Sequence, residues 1–128
     1  MIMISEFTTK WKDNDRDTIV AIDTDKRFIV GTVLVDYGGK EKKESLLWNL
    51  QVSEEYRHQG IGKSLFNAAV NNARARRCFE ITLEWSAYDT DGWMLDWYKR
   101  QGFHVSGGYR EATVKLTKQL KAKGGWND

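Results

Sequence analysis

Apolar positions change their spacing near residue 60, and that change divides the chain. From residue 1 to 52 they follow short, two-residue or β-branched patterns. Ile2, Ile4, Phe7 and Trp11 lie among polar residues and predict a strand over 1–12. Lys12 to Asp17 is a turn by composition. Thr18 to Ile22 is β-branched and predicts a second strand, ended by Asp23-Thr24-Asp25-Lys26. Phe28 to Val35 is a third and stronger strand, 36–43 a polar loop with a Gly-Gly turn, and Leu46 to Val52 a fourth strand. Such closely spaced elements predict a hairpin meander. Beyond Gly60 the period lengthens. Ile61, Leu65, Phe66, Ala69, Val70 and Ala73 recur every three or four residues, an amphipathic helix of about four turns. Arg74, Arg76 and Arg77 suit the negative end of its dipole. Phe79, Ile81, Leu83 and Trp85 alternate with Glu80, Thr82 and Glu84 in a fifth strand. Asp89-Thr90-Asp91 offers N-caps for a second helix, Gly92 to Gln101, and Gly102 fits the left-handed position just past its end. Phe103 to Val105, a Gly107-Gly108 turn and Ala112 to Leu116 predict a last hairpin. The order β-β-β-β-α-β-α-β-β gives an α/β (mixed α+β) fold, a mixed sheet with helices on its faces. One domain spans 1–116, followed by a polar tail, 117–128.

Composition narrows the function. A chain of 128 residues is long enough for one core. Net charge of +2 is too small for the basic footprint of broad nucleic-acid binding. No apolar run approaches the ~20 residues of a membrane span, and the first residues lack the features of a secretory signal. A single cysteine, Cys78, excludes an internal disulfide and makes the cytoplasm the expected compartment. Together with only two histidines, it also argues against a metal site. There is no proline, so turns must rely on Gly, Asn and Asp.

The candidate chemistry sits where the period changes. In Arg57-His58-Gln59-Gly60-Ile61-Gly62-Lys63-Ser64, two glycines at the mouth of a helix let backbone N–H groups approach a ligand, and the helix N-terminus favours negative charge. Arg57, Gln59, Lys63 and Ser64 add donors. This is a phosphate or pyrophosphate cradle. A P-loop would need glycine at 57, where Arg57 stands. A dinucleotide fingerprint would need glycine at 65, where Leu65 stands.

The run Arg57 to Gly62, after an apolar strand and two acidic residues, resembles the coenzyme-binding turn of the GNAT superfamily of N-acetyltransferases. Trp97-Tyr98-Lys99-Arg100-Gln101-Gly102-Phe103 resembles a second signature of that family, in the right order and context. The resemblance covers roughly 27–116 and implies a mostly antiparallel twisted sheet of about seven strands. It implies acetyl-coenzyme A as cosubstrate, with no metal. Backbone groups of Leu50, Gln51 and Val52 would pair with the pantetheine arm as an added strand would. That strand would carry a bulge and splay from its neighbour. The stretch Arg57, His58, Gln59, Gly60, Ile61, Gly62, Lys63 and Ser64 would hold the pyrophosphate. Tyr98 would protonate the departing thiolate. Asp91 stands where the family often has an asparagine touching the coenzyme arm; a carboxylate cannot donate that hydrogen bond, which leaves helix capping as its other role.

The resemblance further implies direct acetyl transfer to a primary amine in a ternary complex. A carboxylate base would take the amine's proton, with Glu84 the first candidate and Glu44 the second. Read simply as strand residues, both carboxylates are solvated. Trp48, Trp85, Trp93 and Trp97 are expected in the core or cleft wall. The family pattern has two helices between the first two strands, where this chain has only a turn. The acceptor side is therefore expected to be open, suiting a protein or peptide amine ahead of a small molecule, or completion by a second subunit in a homodimer. Neither nucleic acid nor membrane is an expected partner. The alternative function is a coenzyme A-binding, catalytically weak interaction module.

Overall fold

A computed structural model describes residues 1–38, 44–86, 92–110 and 112–120. The strands are β1 (Ile2–Trp11), β2 (Asn14–Asp23), β3 (Phe28–Tyr37), β4 (Glu44–Val52), β5 (Glu80–Ser86), β6 (His104–Arg110) and β7 (Thr113–Gln119). The helices are α1 (Ile61–Ala75), between β4 and β5, and α2 (Gly92–Arg100), between β5 and β6. All seven strands form one sheet in the order β1-β2-β3-β4-β5-β7-β6. Only β4 and β5 run parallel.

The β1–β2 hairpin is tighter than composition predicts. Its register is unbroken from Ile2 opposite Asp23 to Trp11 opposite Asn14, so the turn is only Lys12 and Asp13. Both have positive φ, 48° and 69°, as in a primed two-residue turn whose twist matches its flanking strands. Residues 14–17 read as turn because they are acidic and polar, yet their charges are matched by the sheet and by the end of α1. Asp15 pairs with Lys10 at 2.6 Å and Arg76 at 2.8 Å. Asp17 is buried and accepts from the hydroxyls of Thr8 (2.5 Å) and Tyr37 (2.6 Å) and from the Asn72 amide (3.2 Å). Burial, reinforced by Asp17, pushes the Tyr37 hydroxyl far above its ordinary pKa, so it stays a donor.

One face of the sheet carries the core. The predicted stripe of α1, Ile61, Leu65, Phe66, Ala69, Val70 and Ala73, is buried against Ile19, Ala21, Val33, Val35 and Leu47. Gly31 permits this approach. A Cβ there would stand 2.9 Å from Leu65 Cδ1 and 3.1 Å from the Gln51 carbonyl oxygen. α2 lies beside α1 on the same side, with the Trp97 and Phe66 rings edge to face at 5.2 Å. Among the described residues no helix covers the opposite face of β1–β4, where Phe7, Leu46 and Trp48 are exposed. Trp93 is also exposed. Trp48 and Trp93 therefore lie outside the core, whereas Trp85 and Trp97 pack against it.

The last hairpin differs from expectation. Gly107 and Gly108 do not turn; they pair with Lys115 and Val114 inside β6 and β7, with register slips on both sides. The chain reverses after Arg110 instead, with Ala112 at φ 62°. Glycine marked the irregular strand rather than its end. β7 continues to Gln119 and Leu120 is buried, so these residues of the predicted tail belong to the domain. Residues 121–128 lie outside the described set.

A second buried carboxylate ties the β4–α1 connection to the β2–β3 turn. The Tyr56 hydroxyl donates to Asp23 Oδ2 at 2.7 Å, and Asp23 Oδ1 accepts from the amides of Asp25 and Lys26. Phe28 packs edge to face on Tyr56 at 6.1 Å. The Tyr56 hydroxyl, followed by the Lys26 amide, holds the Asp23 carboxyl below its ordinary value of 3.8. The same bond pushes Tyr56 up to about 12.

Two outcomes follow from these contacts. Gly31→Val forces Leu65 and the β4 backbone aside and should cost about 2 kcal/mol, read as a lower urea midpoint at unchanged slope. The depressed Asp23 contributes stability present at neutral pH and lost as pH falls below 3.8 and through its folded value. Tyr56→Phe removes the main cause of that depression. Urea midpoints measured from neutral to acid pH should fall less steeply in Tyr56→Phe than in the parent, and parallel acid limbs would assign the acid sensitivity to other carboxylates.

Candidate active site

The sheet opens between its two parallel strands. β4 and β5 pair at only three positions, Glu44 with Glu80, Ser45 with Ile81 and Leu46 with Thr82. The cause lies on the other edge of β4. Trp48 faces Leu34 and Gln51 faces Thr32, so Asn49 and Leu50 share the single residue Val33. Asn49 adopts φ 57°, which asparagine tolerates better than most residues. This is a bulge, and a bulge bends its strand. Beyond Leu46, β4 has no further pairing with β5 among the described residues. The two strands thus wall a slot with β4 polar groups along one side. Leu50 and Val52 pack toward the helical face. Gln51 is exposed and donates its side-chain amide to Asn49 Oδ1 at 2.6 Å.

The slot leads to the mouth of α1. Gly60 is the N-cap at φ 82°, and neither a capping side chain nor an acidic residue occupies the first turn. The first helical bond runs from Ser64 N–H to the Gly60 carbonyl at 3.0 Å. The N–H groups of Ile61, Gly62 and Lys63 therefore have no helical acceptor and suit an anion. A Cβ on Gly60 would meet nothing within 4 Å, and one on Gly62 only Val52 Cγ2 at 3.6 Å, so the concavity is open. Arg57 turns back to donate its Nε–H to the Val52 carbonyl at 3.1 Å, which holds its guanidinium between strand end and helix mouth. His58 takes φ 64°, and His58, Gln59, Lys63 and Ser64 are exposed around the rim.

Tyr98 is fixed by the way α2 ends. Gly102 N–H bonds the Lys99 carbonyl at 3.0 Å, and Phe103 N–H bonds the Tyr98 carbonyl at 3.2 Å, with Gly102 at φ 98°. This is a Schellman termination. Its accompanying apolar contact is Tyr98 on Phe103, ring centroids 5.8 Å apart. The motif Tyr-x-x-x-Gly-Phe is thus a helix stop that clamps one aromatic residue. Lys118 donates to the Gln101 carbonyl and completes the cap. Tyr98 is 6 % exposed, and its hydroxyl has no hydrogen-bond partner among the described residues. Burial pushes it up to about 12, so it carries its proton at neutral pH.

The two proposed bases are placed differently. Thr82 pairs with Leu46, so Thr82 and Glu84 share the helix-free face with Leu46 and Trp48. Glu84 is exposed there, two residues past the last β4–β5 pair. Glu44 is exposed at the closed end, about 20 Å along β4 from Leu50 at the strand rise of 3.3 Å per residue. Asp91 lies outside the described residues, as do Asp89 and Thr90. Sequence reasoning missed Asn49, whose φ bends β4, and the anchor of Tyr56 on Asp23. The aromatic residue before Arg57 was the available signal for that anchor. Among the described residues no three His, Cys, Asp or Glu side chains converge as metal ligands.

Comparison with solved structures finds the same architecture. The Escherichia coli ribosomal-protein-S18-alanine N-acetyltransferase matches with a TM-score of 0.73 over 97% of each chain at 13% identity. A GNAT family acetyltransferase from Elizabethkingia anophelis, solved with acetyl-CoA bound, matches with a TM-score of 0.70 at 15% identity, over 93% of this chain and 98% of that one. The Thermoplasma acidophilum PaiA N-acetyltransferase in complex with coenzyme A matches with a TM-score of 0.67 at 19% identity, over 80% of this chain and 59% of that one. A search of curated protein sequences found no match. The profile of the Acetyltransferase (GNAT) family matches residues 3–103, and with this sheet and these helices the chain belongs to that family.

Proposed function

We propose that the protein transfers an acetyl group from acetyl-CoA to a primary amine, and that a protein or peptide amine is preferred over a small molecule. The observation that carries this reading is the continuous path from the β4–β5 slot to the uncapped mouth of α1. Similar folds solved with coenzyme A or acetyl-CoA bound support it. Acetyl-CoA would supply an activated thioester and a good leaving group. The edge of β4 from Leu50 to Val52 that faces away from β3 would pair with the pantetheine arm, and the amides at Gly60 to Lys63, with Arg57 and Gln59, would hold the pyrophosphate.

The incoming amine must be neutral to attack. Glu84, directly or through one water, would take its proton from the helix-free face. A strand N–H near the bulge would face the oxygen on which charge develops. Tyr98, protonated and fixed by the α2 termination, would give its proton to the departing thiolate. The short Lys12-Asp13 turn leaves the acceptor side uncovered, which suits a substrate that brings its own surface.

Thermal unfolding with ligand tests the donor. Acetyl-CoA at ~100 times its dissociation constant should stabilise the protein by about 2.7 kcal/mol. A shift with ATP and none with acetyl-CoA would sink the proposal. Binding without thiol release from any amine or peptide would leave only the coenzyme-binding module. Tyr98→Phe should lower kcat about 100-fold with coenzyme affinity kept within about twofold, and Glu84→Gln should also lower kcat with affinity retained. Stopped-flow thiol release and equilibrium titration separate the two quantities, and unchanged turnover removes the residue from the mechanism.

A further inference from the structure

The helix-free face carries an aromatic ring that is held in place without being buried. Trp48 is 38 % exposed. Its indole N–H donates to Asp36 Oδ2 at 3.1 Å, and the Arg16 guanidinium lies over the ring, 4.9 Å from its centroid. Asp36 in turn accepts from Arg16 Nε at 2.5 Å and Nη2 at 3.0 Å, so the two charges beside the ring match each other. The register brings this ring to the slot. Glu44 with Glu80 and Leu46 with Thr82 are pairs on this face, and the next residues of the same parity are Trp48 on β4 and Glu84 on β5. One stands on each side of the gap, on the face from which the proposed function brings the amine. Leu46, 40 % exposed, extends the apolar surface back along β4. Past Trp48, Asn49 and Gln51 are exposed, and the Gln51 amide donates to Asn49 Oδ1 at 2.6 Å. That leaves the Gln51 side-chain oxygen to accept and the Asn49 side-chain amide to donate.

We propose that Trp48 determines acceptor specificity: its ring takes the apolar or aromatic side chain on the first residue of a peptide whose α-amine lies at Glu84. The inference deepens the proposed function and rests on its transfer of acetyl to an amine on this face. The apolar occupant follows from charge. Arg16 and Asp36 satisfy each other, so the platform offers a charged side chain no unmatched partner, whereas an exposed indole gains by stacking on a second ring. The peptide follows from the carboxamide pair, whose remaining acceptor and donor match the N–H and C=O of one peptide group. A ring already fixed by Asp36 and Arg16 loses little rotamer freedom when covered, and a covered tryptophan of this kind is the residue type that dominates contact surfaces.

The test measures kcat/KM of the full chain with acetyl-CoA and three amines: the peptide amides Phe-Ala-Ala and Gly-Ala-Ala, and phenylalanine methyl ester, which keeps the ring but lacks the amide N–H. The parent should prefer the Phe peptide to the Gly peptide about tenfold, and to the ester about threefold. Trp48→Ala should bring the first ratio to about one while acetyl-CoA affinity, read by titration, stays within about twofold of the parent. Trp48→Phe keeps a ring on β4 at little risk to folding and should retain most of the preference. Equal rates on the two peptides in the parent, or the full preference kept in Trp48→Ala, overturns this inference and leaves acetyl transfer standing. An ester turned over as fast as the Phe peptide overturns the peptide assignment. Transfer to none of the three amines overturns the inference together with the proposed function.

Discussion

The structure depends on a pairing that stops. A parallel sheet gains by continuing its ladder, each added bond contributing about 1 kcal/mol net. β4 and β5 end theirs at Leu46 and Thr82. What prevents the ladder from closing is backbone geometry: the residue added at Asn49 and Leu50 re-aims β4 while β3 stays in register on either side. The interruption costs stability locally, and the surrounding packing offsets it. The α1 stripe spans β2, β3 and β4 from one side, and β7 pairs with β5 along its whole length. A break held open by rigid neighbours is a preformed strand-shaped gap, and binding to it needs little rearrangement.

The two ends of the gap are braced by unlike means. At the anion end, a carboxylate in the β2–β3 turn grips Tyr56, and Arg57 folds back on the Val52 carbonyl. At the other, the stop of α2 locks Tyr98 against Phe103, with Lys118 covering the Gln101 carbonyl. Both braces lie on or beside the helical face. The opposite face has Arg16 over the Trp48 ring at 4.9 Å and bridging to Asp36, with exposed apolar side chains around them. The helical side is thus built and fixed, and the opposite side is an open surface.

Much of this was legible in the residues where one local rule acted alone. The change of period at Gly60 located α1, and Gly102 marked the end of α2, because helix stripes and left-handed caps depend on nearest neighbours only. The reading failed where tertiary partners overrode composition. Asp15 and Asp17 read as turn and became strand because Lys10, Arg76, Tyr37 and Thr8 meet them there. Gly107 and Gly108 read as a turn and became a slipped strand. The left-handed backbone of Asn49, which opens the slot, has no periodic signature.

The hairpin turn at Lys12 and Asp13 has a consequence for how such domains change size. Its strands hold each other through an unbroken register and end in a two-residue turn. Whatever length of chain joins Trp11 to Asn14, the sheet beneath is already complete, and lengthening a loop there carries only a slowly growing entropic penalty. The turn is a graft point: a lid could be added or removed at that one joint while the sheet and the β4–β5 slot stay as they are.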